Sequence, residues 1–317
     1  MTIVVFGAGG VGAFFGGLLA RAGQDVRFIA RGAQLEALRT TGIQIASTSL
    51  GLVSVAPVQV SARAAEVGVA DLVLICVKAH QTPAILDDVA QLVGEHTTLV
   101  TLQNGVESDD VVAARFGRTR VIPAVVYVGA TLDRPGHVSH VAAGTITLGI
   151  PTGATRARVD AAREALAATG LPVGVSDDID RERWRKLLWN ASFNTVSAVT
   201  GRDPARLLAV PESRALLIAV MKEVVAVAVA QGIQLQDADV DAQISWTERA
   251  GTIRTSTAVD RERGREMETD ALIGVVVRRG RLHGVPTPSC EAMLGVLRAM
   301  ETPLADHEIQ TSRPMRQ

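Results

Sequence analysis

TIVVFGAGGVG, residues 2–12, is the stretch whose pattern decides the fold. Thr2 to Phe6 is a β-branched and aromatic run, which predicts a short strand ending at glycine. Gly7-Ala8-Gly9-Gly10-Val11-Gly12 then matches the spacing G-x-G-x-x-G. Behind it Val11, Phe14, Phe15, Leu18 and Leu19 recur at helical spacing, and Gly23 closes the helix. A second strand follows near Asp25 to Ala30 and ends at Arg31. Together these form a βαβ unit of about thirty residues.

Glycine spacing alone is a weak signal, but a strand before it and an amphipathic helix after it supply the required context. Gly7 permits a tight turn, Gly9 lets the backbone approach a pyrophosphate, and Gly12 lets helix pack on strand. The helix N-terminus offers unpaired N–H groups and partial positive charge to phosphates. Gly7, Ala8, Gly9, Gly10, Val11 and Gly12 are therefore candidate dinucleotide-binding residues. Arg31 lies nineteen positions after Gly12. An NAD-binding chain usually carries Asp or Glu near that place, to accept from the ribose 2′-OH. A guanidinium instead suits a 2′-phosphate, so the expected cofactor is NADPH.

Outward from this unit, segments 43–47 and 51–60 alternate and predict a hairpin insertion. Asp71 to Val77 and Thr98 to Leu102 are continuous apolar runs, as in a parallel sheet covered on both faces. Arg120 to Val128, His137–Val141 and Thr145–Ile150 extend the sheet, and a helix (154–169) and a strand (Leu171 to Val175) complete it. After Asp177-Asp178 the period becomes helical throughout, over 179–199, 212–231, 238–250, 252–263, 266–283 and 287–300. The expectation is an α/β fold: an N-terminal Rossmann doubly wound sheet over residues 1–176, and a C-terminal all-helical domain over 177–317. The tail after Thr302, polar and proline-containing, is expected to fray.

Composition narrows the function. The chain has 317 residues, 47% hydrophobic and 21% charged, with a formal net charge of −1. That is a globular composition with no basic excess for nucleic acid. Cys76 and Cys290 form no CxxC pair and the six histidines no ligand cluster, so no metal is expected and a cytoplasmic location fits. The apolar run from Ala215 to Val229 is too short and too interrupted for a membrane span.

The candidate chemistry lies at strand ends and on one helix. Lys78 and Asn104 follow two apolar strands, at the carboxyl ends where open α/β sheets bind ligands. Lys186, Asn190 and Asn194 stand at i, i+4 and i+8, one polar stripe on an otherwise apolar helix. Either that stripe faces a polar cavity, or it is a solvent face with Lys186 paired to Glu182. Glu268 shares a face with Leu272, Val275 and Val276 in the helix over 266–283. It should look inward, unlike Glu266 and Asp270, and it then needs a partner, with Lys186 a candidate. Thr255-Ser256-Thr257 supplies hydroxyls at a helix start, where an N-cap is the plain role.

GAGGVG, Arg31, Val77-Lys78-Ala79, Gln103-Asn104-Gly105, Trp184-Arg185-Lys186-Leu187 with Asn190 and Asn194, and Ser256 through Glu268 to Arg278-Arg279 and His283-Gly284-Val285 together resemble the ketopantoate reductase (2-dehydropantoate 2-reductase) family. The resemblance runs from residue 2 to about residue 300. It implies a Rossmann and a helical domain with the active site between them, and NADPH-dependent reduction of ketopantoate to pantoate on the route to pantothenate and coenzyme A. By position Lys186 resembles the catalytic lysine and Glu268 its partner. Asn104, Asn190, Asn194 and Ser256 resemble substrate-binding residues, and Lys78 and Asn104 resemble residues at the cofactor cleft. The implied partner is a small-molecule 2-oxo acid, and a homodimer stays open. Two other functions compete: reduction of another branched 2-oxo acid, and NADP sensing without catalysis.

Overall fold

The computed structural model describes residues 1–252 and 254–301. The expected fraying of the tail after Thr302 lies outside the described residues. The first half alternates strand and helix: β1 (Thr2–Phe6), α1 (Gly10–Arg21), β2 (Asp25–Ile29) and α2 (Gly32–Thr40). It continues with β3 (Ile43–Ser47), β4 (Gly51–Val55), β5 (Gln59–Ser61), β6 (Ala70–Ile75), α3 (Thr82–Ala90), β7 (Val93–Thr101) and α4 (Ser108–Phe116). It closes with β8 (Val121–Arg134), β9 (His137–Gly149), α5 (Arg156–Ala167) and β10 (Val173–Ser176).

Six strands pair in parallel in the order β5-β2-β1-β6-β7-β8. The order reverses between β1 and β6. Their carboxyl ends, Phe6–Gly7 and Ile75–Lys78, therefore open the crevice in which such sheets hold ligands. Beyond β8 the sheet continues through antiparallel β9 to β3 and β4, with β10 also against β9.

Two expectations need correction. The hairpin expected over 43–60 ends at Val55, because Pro57 has no amide to extend the ladder, and Gln59–Ser61 pairs with β2 instead. The two strands expected at His137–Val141 and Thr145–Ile150 are one. Register shifts opposite Tyr127–Ala130, with Ala143 at φ 58, absorb the break in the pattern.

The second half is helical: α6 (Ile179–Trp189), a π-helical turn (Asn190–Asn194), α7 (Thr195–Thr200), α8 (Pro204–Leu208), α9 (Pro211–Ala230), α10 (Asp237–Ala250) and α11 (Ser256–Glu262). A second π-helical turn (Asp270–Gly274), α12 (Val275–His283) and α13 (Pro288–Glu301) follow. Asp178 caps α6 by accepting from the Arg181 amide at 3.0 Å, and Asp203 with Pro204 starts the unexpected α8. The helix expected over 252–263 begins at Ser256, because Thr255 caps it. Apolar cores cover both faces of the sheet, with Phe14, Phe15 and Phe28 on one and Phe6, Ile75 and Leu99 on the other. A third core, with Leu187, Phe193, Met221 and Ile273, holds the helices together. Each such buried side chain contributes roughly 1.5–3 kcal/mol. Among the described residues no helix is long and apolar enough to cross a membrane.

Candidate active site

The glycine loop is shaped by what its neighbours exclude. Gly7 has φ +98, and a Cβ there would lie 2.8 Å from Val77 Cγ1 and 2.9 Å from the Val77 backbone nitrogen. A Cβ on Gly10 would come within 2.5 Å of the Ala130 carbonyl oxygen, and one on Gly12 would press into the Gly7 carbonyl oxygen. At Gly9 a Cβ would meet nothing within 4 Å, so that backbone faces open space. No side chain caps α1 and no acid occupies its first turn. Ala8 is buried, and its carbonyl accepts from Gln34 Nε2 at 2.9 Å. Such a cradle, with bare amides at a helix N-terminus, fits a pyrophosphate. Arg31 stands at the N-cap of α2, exposed at the end of β2, with Nη2 2.9 Å from Asp88 Oδ2.

Lys186 reaches from α6 across the domain boundary. Its Nζ donates to Asn104 Oδ1 at 2.8 Å and to the Val126 carbonyl at 2.6 Å. The Tyr127 ring lies 5.6 Å away at its centroid. An ammonium has three donor hydrogens, so two are engaged and the third is available. Burial pushes the Lys186 pKa down to about 8, against the opposing pull of the Glu268 charge. The solvent-face alternative, with Lys186 paired to Glu182, is not what forms.

Asn190 and Asn194 follow through the π-helical turn, and both are buried. Asn194 Nδ2 donates to Asn190 Oδ1 at 3.3 Å, while Asn194 Oδ1 has no partner among the described residues. Gln103, Asn104, Arg183, Lys186 and Asn190 line one small pocket between the domains.

Glu268 does look inward, with Glu266 and Asp270 exposed. It differs from expectation in two ways. It precedes the first helical residue instead of standing inside the helix, and its direct cation is Lys78, not Lys186. Lys78 Nζ lies 3.4 Å from Glu268 Oε2 and 2.5 Å from Asp260 Oδ2. Glu268 also accepts from the Ala79 amide at 3.0 Å and from Asn104 Nδ2 at 3.2 Å. The physical reason is reach: turned away from α12, the carboxylate meets the strand end that carries Lys78. Burial alone would raise the Glu268 pKa, but the Lys78 ammonium and these two N–H donors hold it below the ordinary range. Burial disfavours the Lys78 charge, yet Glu268 and Asp260 outweigh it and raise that pKa. The Asn104 amide thus stands between Glu268 and Lys186, and those two partners fix which end is oxygen.

Family models for ketopantoate reductase PanE/ApbA match residues 3–153, and for its C-terminal part residues 178–301. A 2-dehydropantoate 2-reductase of Mesorhizobium japonicum is 37% identical over 321 residues, spanning 95% of this chain and 98% of its own. The chain belongs to the ketopantoate reductase family. The crystal structure of 2-dehydropantoate 2-reductase from Geobacter metallireducens superposes with a TM-score of 0.90 at 32% identity, over 94% of this chain and 99% of that one. A D-mandelate dehydrogenase solved with NADH and anilino(oxo)acetate reaches a TM-score of 0.89 at 24% identity, over 95% and 98% of the two chains, and shares the fold.

Within this ketopantoate reductase fold, Lys78, Asn104, Lys186 and Glu268 meet in one hydrogen-bonded chain; Asn190 lines the same pocket as Asn104 and Lys186, and Asn194 is bonded to Asn190. Ser256 does not join them. It is exposed at the first residue of α11, and its neighbour Thr255 takes the capping role, accepting from the Ala258 amide at 3.3 Å. Sequence reasoning missed Asp260, the Val126 carbonyl and Arg183. Asp260 and Arg183 gave no local signal, and a main-chain acceptor is invisible to residue type.

Proposed function

We propose that this chain reduces ketopantoate to pantoate, using NADPH, with Lys186 as the proton donor. The observation that supports this most is the Lys186 Nζ held between Asn104 and Val126 with one donor hydrogen to spare. Bound NADPH supplies the hydride. As the ketone carbon is reduced, negative charge grows on its oxygen, and the third Lys186 N–H is placed to stabilise that charge and pass its proton. Asn104 keeps the ammonium aimed, because its other end is fixed on Glu268. Glu268, ionised and buried, offers an acceptor for the substrate hydroxyl. Asn190 and the unpaired Asn194 oxygen offer directional partners for the rest of the acid. Gly7 to Gly12 would hold the pyrophosphate, Arg31 the 2′-phosphate, and Lys78 and Asn104 would serve the nicotinamide end. Ser256 offers the substrate its exposed hydroxyl at the start of α11.

The test is NADPH absorbance with ketopantoate beside simpler 2-oxo acids. The largest kcat/KM is expected for ketopantoate, and no NADPH oxidation with any 2-oxo acid would overturn the reading. Repeating it with NADH examines Arg31. Loss of a charge-assisted hydrogen bond is worth roughly 1.5–3 kcal/mol, so Arg31→Gln should raise the NADPH KM about 10–100-fold and leave the NADH KM nearly unchanged. Equal effects on both cofactors would remove Arg31 from 2′-phosphate recognition.

The Lys186 pKa sets a pH profile. The donor must carry its proton, and that form prevails below the folded-state value of about 8. kcat/KM should therefore be level toward neutrality and fall as pH rises through about 8, approaching tenfold per pH unit. A profile flat to pH 10 would exclude Lys186 as the acid.

A further inference from the structure

We infer that Arg183, through a buried ion pair with Asp109, is a positioning residue that sets where Lys186 sits. This rests on the reductase reading and adds a part to it. Arg183 lies on α6 three residues before Lys186, and Asp109 lies in the first turn of α4 in the other domain. Both side chains are nearly sealed from solvent, 6% and 5% exposed. Arg183 Nη2 donates to Asp109 Oδ1, while Asp109 Oδ2 accepts from Arg118 Nη1 at 2.8 Å. Arg183 Nη1 lies 3.3 Å from Asp180 Oδ1. Each carboxylate oxygen of Asp109 thus takes one guanidinium, one from each domain.

The placement matters because Lys186 works across the same boundary. Both acceptors of its ammonium, Asn104 and Val126, belong to the sheet domain. Its own backbone belongs to the helical one, so the aim of Nζ depends on how α6 is seated. Arg183 is one helical turn away, at about 1.5 Å of rise per residue. It lines the same small pocket as Asn104, Lys186 and Asn190. A buried ion pair is seldom a better source of stability than well-packed apolar side chains. What it adds is direction: two guanidinium edges and two carboxylate oxygens fit in few registers. A displacement of about 1 Å at a reacting group can cost on the order of 100-fold in rate.

The experiment compares wild type, Arg183→Met and the double variant Arg183→Met with Asp109→Asn in full-length protein. Tm, kcat and the NADPH KM are measured for each, with the 2-oxo acid that wild type turns over best. Arg183→Met leaves one buried oxygen of Asp109 without its guanidinium, with Arg118 alone on the other, so Tm and kcat should both fall. The double variant removes the half-paired charge and keeps an acceptor for Arg118, so Tm should recover. Its kcat should stay about 10–100-fold below wild type, with the NADPH KM within about twofold. Recovery of kcat along with Tm, or a kcat within threefold of wild type in either variant, overturns the positioning role. Absence of turnover in wild type overturns the reductase reading instead, and the positioning role with it.

Discussion

Lys186→Ala should lower kcat by roughly 10²–10⁴-fold, the span that one general acid contributes, while the protein stays folded and keeps its NADPH affinity. The reasoning is local. Removing the side chain takes the ammonium out of the pocket and leaves Asn104 Oδ1 and the Val126 carbonyl without their shared partner. The freed space admits water, a poorer and unaimed donor. The Lys186 charge is itself disfavoured by burial, so its loss should not cost much stability. Steady-state kinetics and a thermal melt on the same preparation check both halves. Near-normal turnover would remove Lys186 from the chemistry, and collapse of the fold would show its role to be structural.

Gly12→Ala should lower both stability and cofactor affinity. The added Cβ would press into the Gly7 carbonyl oxygen and stand 3.0 Å from both Cys76 Cβ and Val5 Cγ1. None of these is the free end of a flexible side chain, so α1 has to lift from β1. Overpacking of this kind costs about 1–3 kcal/mol in stability. Lifting also turns the α1 amides away from the phosphates. One lost charge-assisted hydrogen bond, about 1.5–3 kcal/mol, corresponds to about 10–100-fold in NADPH Kd. Chemical denaturation and a fluorescence titration of NADPH measure the two effects separately. Unchanged cofactor affinity would dissociate this loop from pyrophosphate binding. Gly9→Ala is the contrast, since its Cβ meets open protein space, so stability should hold while affinity falls.

What was legible in the sequence follows from the range of the signals. The first βαβ unit could be read because strand, glycine turn and helix each have a local pattern within thirty residues. The change from alternating to helical period marked the second half just as plainly. The partition of 43–61 could not be read this way. Gln59–Ser61 looks like more of the preceding hairpin, and only pairing with β2 makes it a Rossmann strand. In the site, the Lys186–Asn190–Asn194 stripe was visible because helical spacing fixes a face. Glu268 does turn inward, but from just before the helix, so the shared helical face that suggested it is not what turns it. Its partner was not legible, because whether it meets Lys78 or Lys186 depends on how two domains pack. Ser256 was picked by residue type and place, and it stands outside the hydrogen-bonded chain while Thr255 caps the helix.

The acceptor that Val126 offers to Lys186 belongs to the main chain, so no codon specifies it. Replacing Val126 by another residue leaves the oxygen in place. It moves only if the ribbon of β8 and β9 changes shape, and that shape is shared among the register shifts near Tyr127 and the positive φ of Ala143. Half of the lysine's anchorage is thus insulated from point change at its own address and exposed to change several residues away. Sequence drift in this lineage should leave the acceptor untouched at position 126, where the side chain answers only to the core it is buried in, and be punished where the two strands slip past each other.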